Sequence, residues 1–179
     1  MFNIPFYQYK IENWISKKKN LLEICENIKF KNLNDQQRAD IQTASDNLYT
    51  DYGNNNEYSH HIIKILEDEF VKFSNDAKAY NLSVSDSWFQ KYYKSQFHSP
   101  HDHGSIGYSS VTYINFNKKT HNPTIFVAPF KNAQGITNEY APDVDEGDII
   151  IFPSMLTHYV LPSKTEELRT ILSVNLKQN

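Results

Sequence analysis

Cysteine is almost missing: Cys25 is the only one in 179 residues. One thiol cannot close an internal disulfide, so this is no stapled secreted scaffold, and a reducing, cytoplasmic setting is expected. Long apolar runs are missing too. No stretch nears the roughly 20 residues of a membrane helix, and the opening Met-Phe-Asn-Ile-Pro-Phe-Tyr-Gln-Tyr-Lys lacks the basic and apolar segments of a secretion leader. Neither sign of charge dominates. A net charge of −3 with 22% charged residues offers no basic face for nucleic acid or for an anionic membrane. Repeats and low-complexity tracts are also lacking. What is present, 39% hydrophobic and 14% aromatic residues, suffices for one domain over 1–179 with its own core.

Residues 4–11 read as a leading strand. From Asn13 or Ser16, Trp14, Leu21, Cys25 and Ile28 recur at helical spacing, with Lys17, Lys18 and Lys19 toward solvent. Cys25 on that stripe is a small core residue. Residues 30–58 are polar and turn-prone, broken most clearly at Gly53-Asn54-Asn55-Asn56, and Asp46 to Asp51 could form an excursion packed near a cleft. Ser59 is a good N-cap for a second helix that buries Ile62, Leu66, Phe70 and Phe73. His60 and His61 fall in its exposed first turn.

After Asn81 the period changes. Short β-rich runs follow at Val84–Tyr93, His101–His103, Tyr108–Asn117, Thr124–Phe130, Asp148–Phe152, His158–Leu161 and Leu168–Asn175. Strands without intervening helices make a sandwich or barrel in a mainly β (α+β) fold, with the strand and helices of 1–80 supporting a core of 81–179. Loop 131–146 is long and polar, a candidate lid.

Chemistry concentrates in Phe97-His98-Ser99-Pro100-His101-Asp102-His103. His101 and His103, two apart on an extended segment, project from one face, and two neutral imidazoles are half of a metal site. His158, which follows the apolar strand Gly147–Pro153 and a tight connection, is the best third ligand. His98, before the proline, is expected to face away, and His121 lies in a loop. Asp102 competes with His103 only if a bulge turns it inward. Asp148, after Gly147, is turn chemistry. Farther on, alternation puts Arg169, Ile171, Ser173 and Asn175 on one strand face. If that face is interior, the guanidinium needs an anion, and a carboxylate matches its fork, with Ser173 able to donate as well. The plainer reading pairs Arg169 with Glu166 or Glu167 at the surface and leaves Tyr113 as a core tyrosine.

The ordered set resembles the Fe(II)/2-oxoglutarate-dependent dioxygenases. It comprises a His-x-His pair entering a strand, a Gly-Asp-x-x-x-Phe-Pro strand leading to a distal His, and an Arg about ten residues later. Closest is the prolyl-hydroxylase-like branch with its small phage and bacterial relatives; the resemblance covers roughly residues 84–176. It implies a double-stranded β-helix (jelly roll, cupin-like), Fe(II) held by His101, His103 and His158, and 2-oxoglutarate and O₂ as co-substrates. Arg169 would meet the distal carboxylate of 2-oxoglutarate, with Ser173 and Tyr113 beside it and Tyr93 as an aromatic contact ahead of the first ligand. Hydroxylation is the implied outcome, with a peptide or protein side chain such as proline as the implied substrate. One departure stands out: position 103 is His, where the usual triad has a carboxylate. Two rival readings share the fold. A cupin-like three-histidine metalloprotein would not use 2-oxoglutarate, but no Glu follows His103 at the cupin distance. A non-catalytic jelly-roll module would need no metal at all.

Overall fold

The computed structural model describes residues 4–33, 46–53 and 57–178. In chain order the elements are β1 (Tyr7–Lys10), α1 (Trp14–Glu26), β2 (Lys31–Leu33), β3 (Leu48–Thr50), α2 (Ser59–Ile65), α3 (Glu67–Ala77) and β4 (Leu82–Tyr92). There follow β5 (His98–His101), β6 (Tyr108–Asn115), β7 (Ile125–Lys131), β8 (Thr137–Tyr140), β9 (Asp148–Pro153), β10 (His158–Val160) and β11 (Arg169–Gln178). Two antiparallel sheets result. A major one runs β1-β9-β6-β11-β4-β3-β2 and a minor one β5-β10-β7-β8. This is the double-stranded β-helix, mainly β with three helices. No helix among the described residues is long and apolar enough to cross a membrane.

The unbroken run Ile149-Ile150-Ile151-Phe152 follows from the major sheet being covered on both faces. Ile149 and Ile151 join Phe89, Ile114, Leu172 and Val174 in a core closed by Leu21 and Cys25 of α1, Ile62 of α2 and Phe73 of α3. Ile150 and Phe152 point the other way, toward Tyr92, Val111, Tyr113, Ile171 and, from the minor sheet, Phe126 and Val160. Each such side chain, when fully buried, contributes about 1.5–3 kcal/mol. The helices thus seal the outer face and leave the inner face for the site.

Several local expectations are corrected. Ser59 is the first residue of α2 rather than its cap; its hydroxyl meets Ser87 Oγ at 2.7 Å, and Tyr58 holds the N-cap without a side-chain bond. The second helix is two, because buried Leu66 leaves helical geometry at φ −105° and ψ 18°. Lys17 is not simply solvated: it bridges to Glu69 at 2.9 Å and Asp68 at 3.1 Å, tying α1 to α3. Loop 131–146 contains β8, which hairpins with β7 through a turn at Asn132–Ile136. Every residue of β8 is exposed, so its sequence carries no alternation to read. β5 ends at His101, which leaves His103 beyond the strand.

The turn into β6 needs glycine. Gly107 has φ +91°, and an added Cβ would fall 2.2 Å from the Leu176 carbonyl oxygen. Gly107→Ala should therefore destabilise by at least about 2 kcal/mol, read as a fall of roughly 4–8 °C in thermal midpoint. An unchanged midpoint would show that this turn can relax.

Candidate metal centre

Three imidazoles converge where β5 meets β10. His101 closes β5 and lies opposite His158, the first residue of β10. His103 sits two residues on, its backbone N–H held by the Ser154 carbonyl at 2.8 Å. One ligand nitrogen from each of the three lies within 4.8 Å of the others.

In each ring the other nitrogen is engaged. His101 Nδ1 donates to the Ser99 carbonyl at 2.8 Å and His158 Nδ1 to the Leu156 carbonyl at 2.9 Å. His103 Nδ1 lies 2.8 Å from Asn175 Oδ1 and 2.9 Å from Ser109 Oγ. A carbonyl can only accept, so these contacts assign the proton to Nδ1 and turn the Nε2 lone pair inward. Burial disfavours protonation of all three. It lowers His103 to about 4 and His158 to about 3, and holds His101 well below its usual range. At neutral pH the cluster is three neutral nitrogen donors, a set that suits Fe, Zn, Cu or Ni.

Asp102 is outside this set. It is exposed, and its Oδ1 accepts the Gly104 N–H at 2.9 Å, a local turn rather than an inward bulge. His98, expected to face away, is instead stacked on His101 with ring centroids 3.8 Å apart. The cause is a bulge: His158 pairs with His101 and Val160 with His98, so the four residues 98–101 on β5 oppose the three residues 158–160 on β10. The extra residue cancels the alternation. His60 and His61 are exposed on α2, as expected, and His121 is held in a loop by Asn117 N–H and the Glu167 carbonyl.

The interior face of β11 carries a charge. Arg169 is 2% exposed, and its Nη2 donates to Thr124 Oγ1 at 3.4 Å. Its Nε and Nη1 find no acceptor among the described residues. Glu166 pairs with Lys94 and Glu167 with Thr120 and Asn117, so the surface ion-pair reading fails. The guanidinium lies 4.7 Å from the Tyr92 ring centroid and 5.7 Å from that of Tyr113. Tyr113 is fully buried and its hydroxyl oxygen accepts the Thr124 N–H at 3.1 Å, which leaves the phenolic proton free to donate. Burial raises the pKa of both tyrosines, and the neighbouring cation partly offsets this.

Tyr93 is not brought to this pocket. It is 44% exposed and packs against Tyr49, because alternation along β4 sends Tyr92 inward, opposite Arg169. Ser173 faces the interior, where its hydroxyl donates to Gln90 Oε1 at 3.3 Å. The sequence reading passed over Asn175 and Tyr92 as site residues, although strand alternation places the first on the Arg169 face and makes the second the inward partner of Arg169. Ser109, Thr124 and His98 carried no such signal.

The donors suit a metal ion and a dianion. A ligand nitrogen from each of three imidazoles lies within 4.8 Å of the others, and two nitrogens of a buried guanidinium lack an acceptor among the described residues, an arrangement that a bound carboxylate would complete. Known proteins give the same answer. No curated protein matches the sequence. An oxidoreductase of the 2OG-Fe(II) oxygenase family from Burkholderia pseudomallei shares the fold, at TM-score 0.72 and 13% identity over 97% of this chain and 85% of that one. A Pseudomonas putida prolyl-4-hydroxylase aligns at 0.64 and 14% over 99% and 94%. A Trichoplax adhaerens prolyl hydroxylase, in complex with a hypoxia inducible factor peptide fragment, aligns at 0.61 and 13% over 97% and 83%. The family model described as "Putative 2OG-Fe(II) oxygenase" matches residues 86–175, half the chain, with all three histidines and Arg169 inside it. This chain belongs to that family of oxygenases, which depend on non-heme Fe(II) and 2-oxoglutarate.

Proposed function

We propose that His101, His103 and His158 hold the iron through Nε2, that Arg169 seats the distal carboxylate of 2-oxoglutarate, and that the enzyme hydroxylates a peptide or protein side chain such as proline. The observation that carries the reading is the buried guanidinium with two unpaired nitrogens beside three converging imidazoles. When bound, the iron activates O₂, with oxidative decarboxylation of 2-oxoglutarate to succinate and CO₂. The chain supplies orientation and dryness. Tyr113 would donate a hydrogen bond from its hydroxyl to the carboxylate held by Arg169, and Tyr92 covers the cation's face. Ser173 borders the same seat. Phe126 and Phe152, whose rings lie 5.7 and 4.9 Å from that of His158, keep water from the metal side.

Three neutral ligands leave the ion's full charge in place, which favours chelation by an anionic co-substrate. Ile106 and Met155 stand 73% and 57% exposed on the loops that follow His103 and precede His158, apolar side chains suited to meeting a peptide. The peptide-bound prolyl hydroxylase relative supports that substrate class. We assign the enzyme to the cytoplasm, in keeping with a lone buried thiol, Cys25, whose pKa burial pushes up to about 11. Incubation with a proline-containing peptide library, read as a 16 Da mass gain dependent on 2-oxoglutarate, tests the substrate; modification of small molecules alone would refute it.

Three further outcomes are expected. First, Arg169→Met should cut succinate release more than 100-fold while leaving metal content intact. In the parent, 2-oxoglutarate at 100 times its Kd should stabilise by about 2.7 kcal/mol, or roughly 5–11 °C, and in the variant not at all. Because the variant removes an uncompensated buried charge, its own midpoint should equal or exceed the parent's. Succinate release at the parent rate would remove Arg169 from the scheme.

Second, His158→Ala should purify without iron, and its midpoint should no longer fall on adding a chelator. Iron retained at parent stoichiometry would exclude His158 as a ligand. Third, the metal-free protein should lose stability in acid. Unfolded histidines titrate near 6.5, but His103 does so near 4 and His158 near 3 in the fold. Between these values the unfolded chain binds more protons, so the stability is complete above about pH 6.5 and drains away as pH falls toward 3. Melting curves from pH 7 to 4 should show the decline, flattened in His158→Ala.

A further inference from the structure

A buried carboxylate stands behind the metal cluster without joining it. Asp46 is 1% exposed and lies just ahead of β3, 53 residues before Ser99. Its Oδ1 accepts the Ser99 N–H at 2.8 Å and also the Ser99 hydroxyl, while Oδ2 is 3.3 Å from His98 Nε2. Both partners act on one residue. The Ser99 carbonyl takes the Nδ1–H of His101, which fixes that ring's rotation in its own plane. The His98 ring lies against the same imidazole with the planes 24° apart, which fixes its tilt.

The hydrogen bonds around His98 share one direction. Ser173 donates to Gln90 Oε1, Gln90 Nε2 donates to His98 Nδ1 at 3.1 Å, and His98 Nε2–H points to Asp46. A chain of donors that ends on a carboxylate is mutually reinforcing. Bonds from His98 and Ser99 outweigh the cost of burial and hold Asp46 down to about 2, so it is ionised. The charge is not needed to dock the segment. Asn47 and Phe97 already exchange backbone hydrogen bonds at 2.8 and 3.2 Å, and β3 is paired with β4.

We infer that Asp46 is a positioning residue of the metal centre, setting the plane of His101 through Ser99 and His98. The inference rests on His101 being a ligand, as proposed above. Its test is Co(II) titration of the metal-free protein, followed by visible absorption. Asp46→Ala should weaken Co(II) binding at least about tenfold and alter the absorption band of the folded complex. Asp46→Asn, which keeps an acceptor for Ser99, should lose less, and it decides the question alone if the alanine variant does not fold. Asp51→Asn is the control. It keeps the acceptor for the Phe89 N–H but puts an amide NH₂ where a carboxylate oxygen accepts the Tyr58 hydroxyl, so it loosens the tether of the same excursion and should lower the thermal midpoint yet leave Co(II) affinity and spectrum unchanged. Parent-like Co(II) binding in folded Asp46 variants, or equal weakening by Asp51→Asn, would overturn the inference. Undiminished Co(II) binding by His101→Ala would instead show the ligand assignment to be wrong, and Asp46 would fall with it.

Discussion

Arg169 sets the terms for the rest of this structure. A guanidinium cannot shed its charge, and its burial without an anion costs several kcal/mol that packing elsewhere must offset. The protein surrounds it with Tyr92 and Tyr113 and a long contact to Thr124, which eases the cost without cancelling it. Such an arrangement is stable as a resting state only in a well-built domain. A carboxylate meeting that fork, as proposed for 2-oxoglutarate, would relieve the cost, and the seat would then be organised by the fold beforehand.

That organisation depends on the two-sided major sheet. β11 is central in it, paired with β4 on one side and β6 on the other. Its outward residues Leu172 and Val174 are locked under the helices, while its inward face carries Arg169 near one end and Asn175, which holds His103, near the other. One strand therefore places both the proposed anion seat and the partner of a proposed metal ligand, and a register slip of one residue would move both. The helices of the N-terminal half matter to the chemistry through this clamping.

The sequence showed the parts that obey a period. Alternation placed Arg169, Ser173 and Asn175 on one face of a strand, and the run 149–152 read as a buried apolar strand. The order of His101, His103, His158 and Arg169 carried the family, and with it the iron and the co-substrate; a metal site without 2-oxoglutarate and an inert module are set aside with it. Where the period breaks, the reading fails. His98 was sent outward because the bulge in β5 is invisible without its partner strand. The resemblance points to Tyr93, whereas pairing with β11 turns Tyr92 inward opposite Arg169, and that phase is set by the partner strand. Asp46 lies far from Ser99 in the chain, and only the folded backbone brings them together.

The Nδ1 anchors of the three imidazoles have a consequence for which ion fills the site. Their lone pairs are aimed by carbonyl and amide oxygens before any ion arrives, so loading demands little rearrangement. A prearranged ring of neutral nitrogens cannot rank divalent ions in iron's favour, because copper, nickel and zinc bind such donors more tightly. With these three imidazoles as the ligands, selection of iron would rest on what lies outside the donor set, the supply of ions and the co-substrate that completes the coordination.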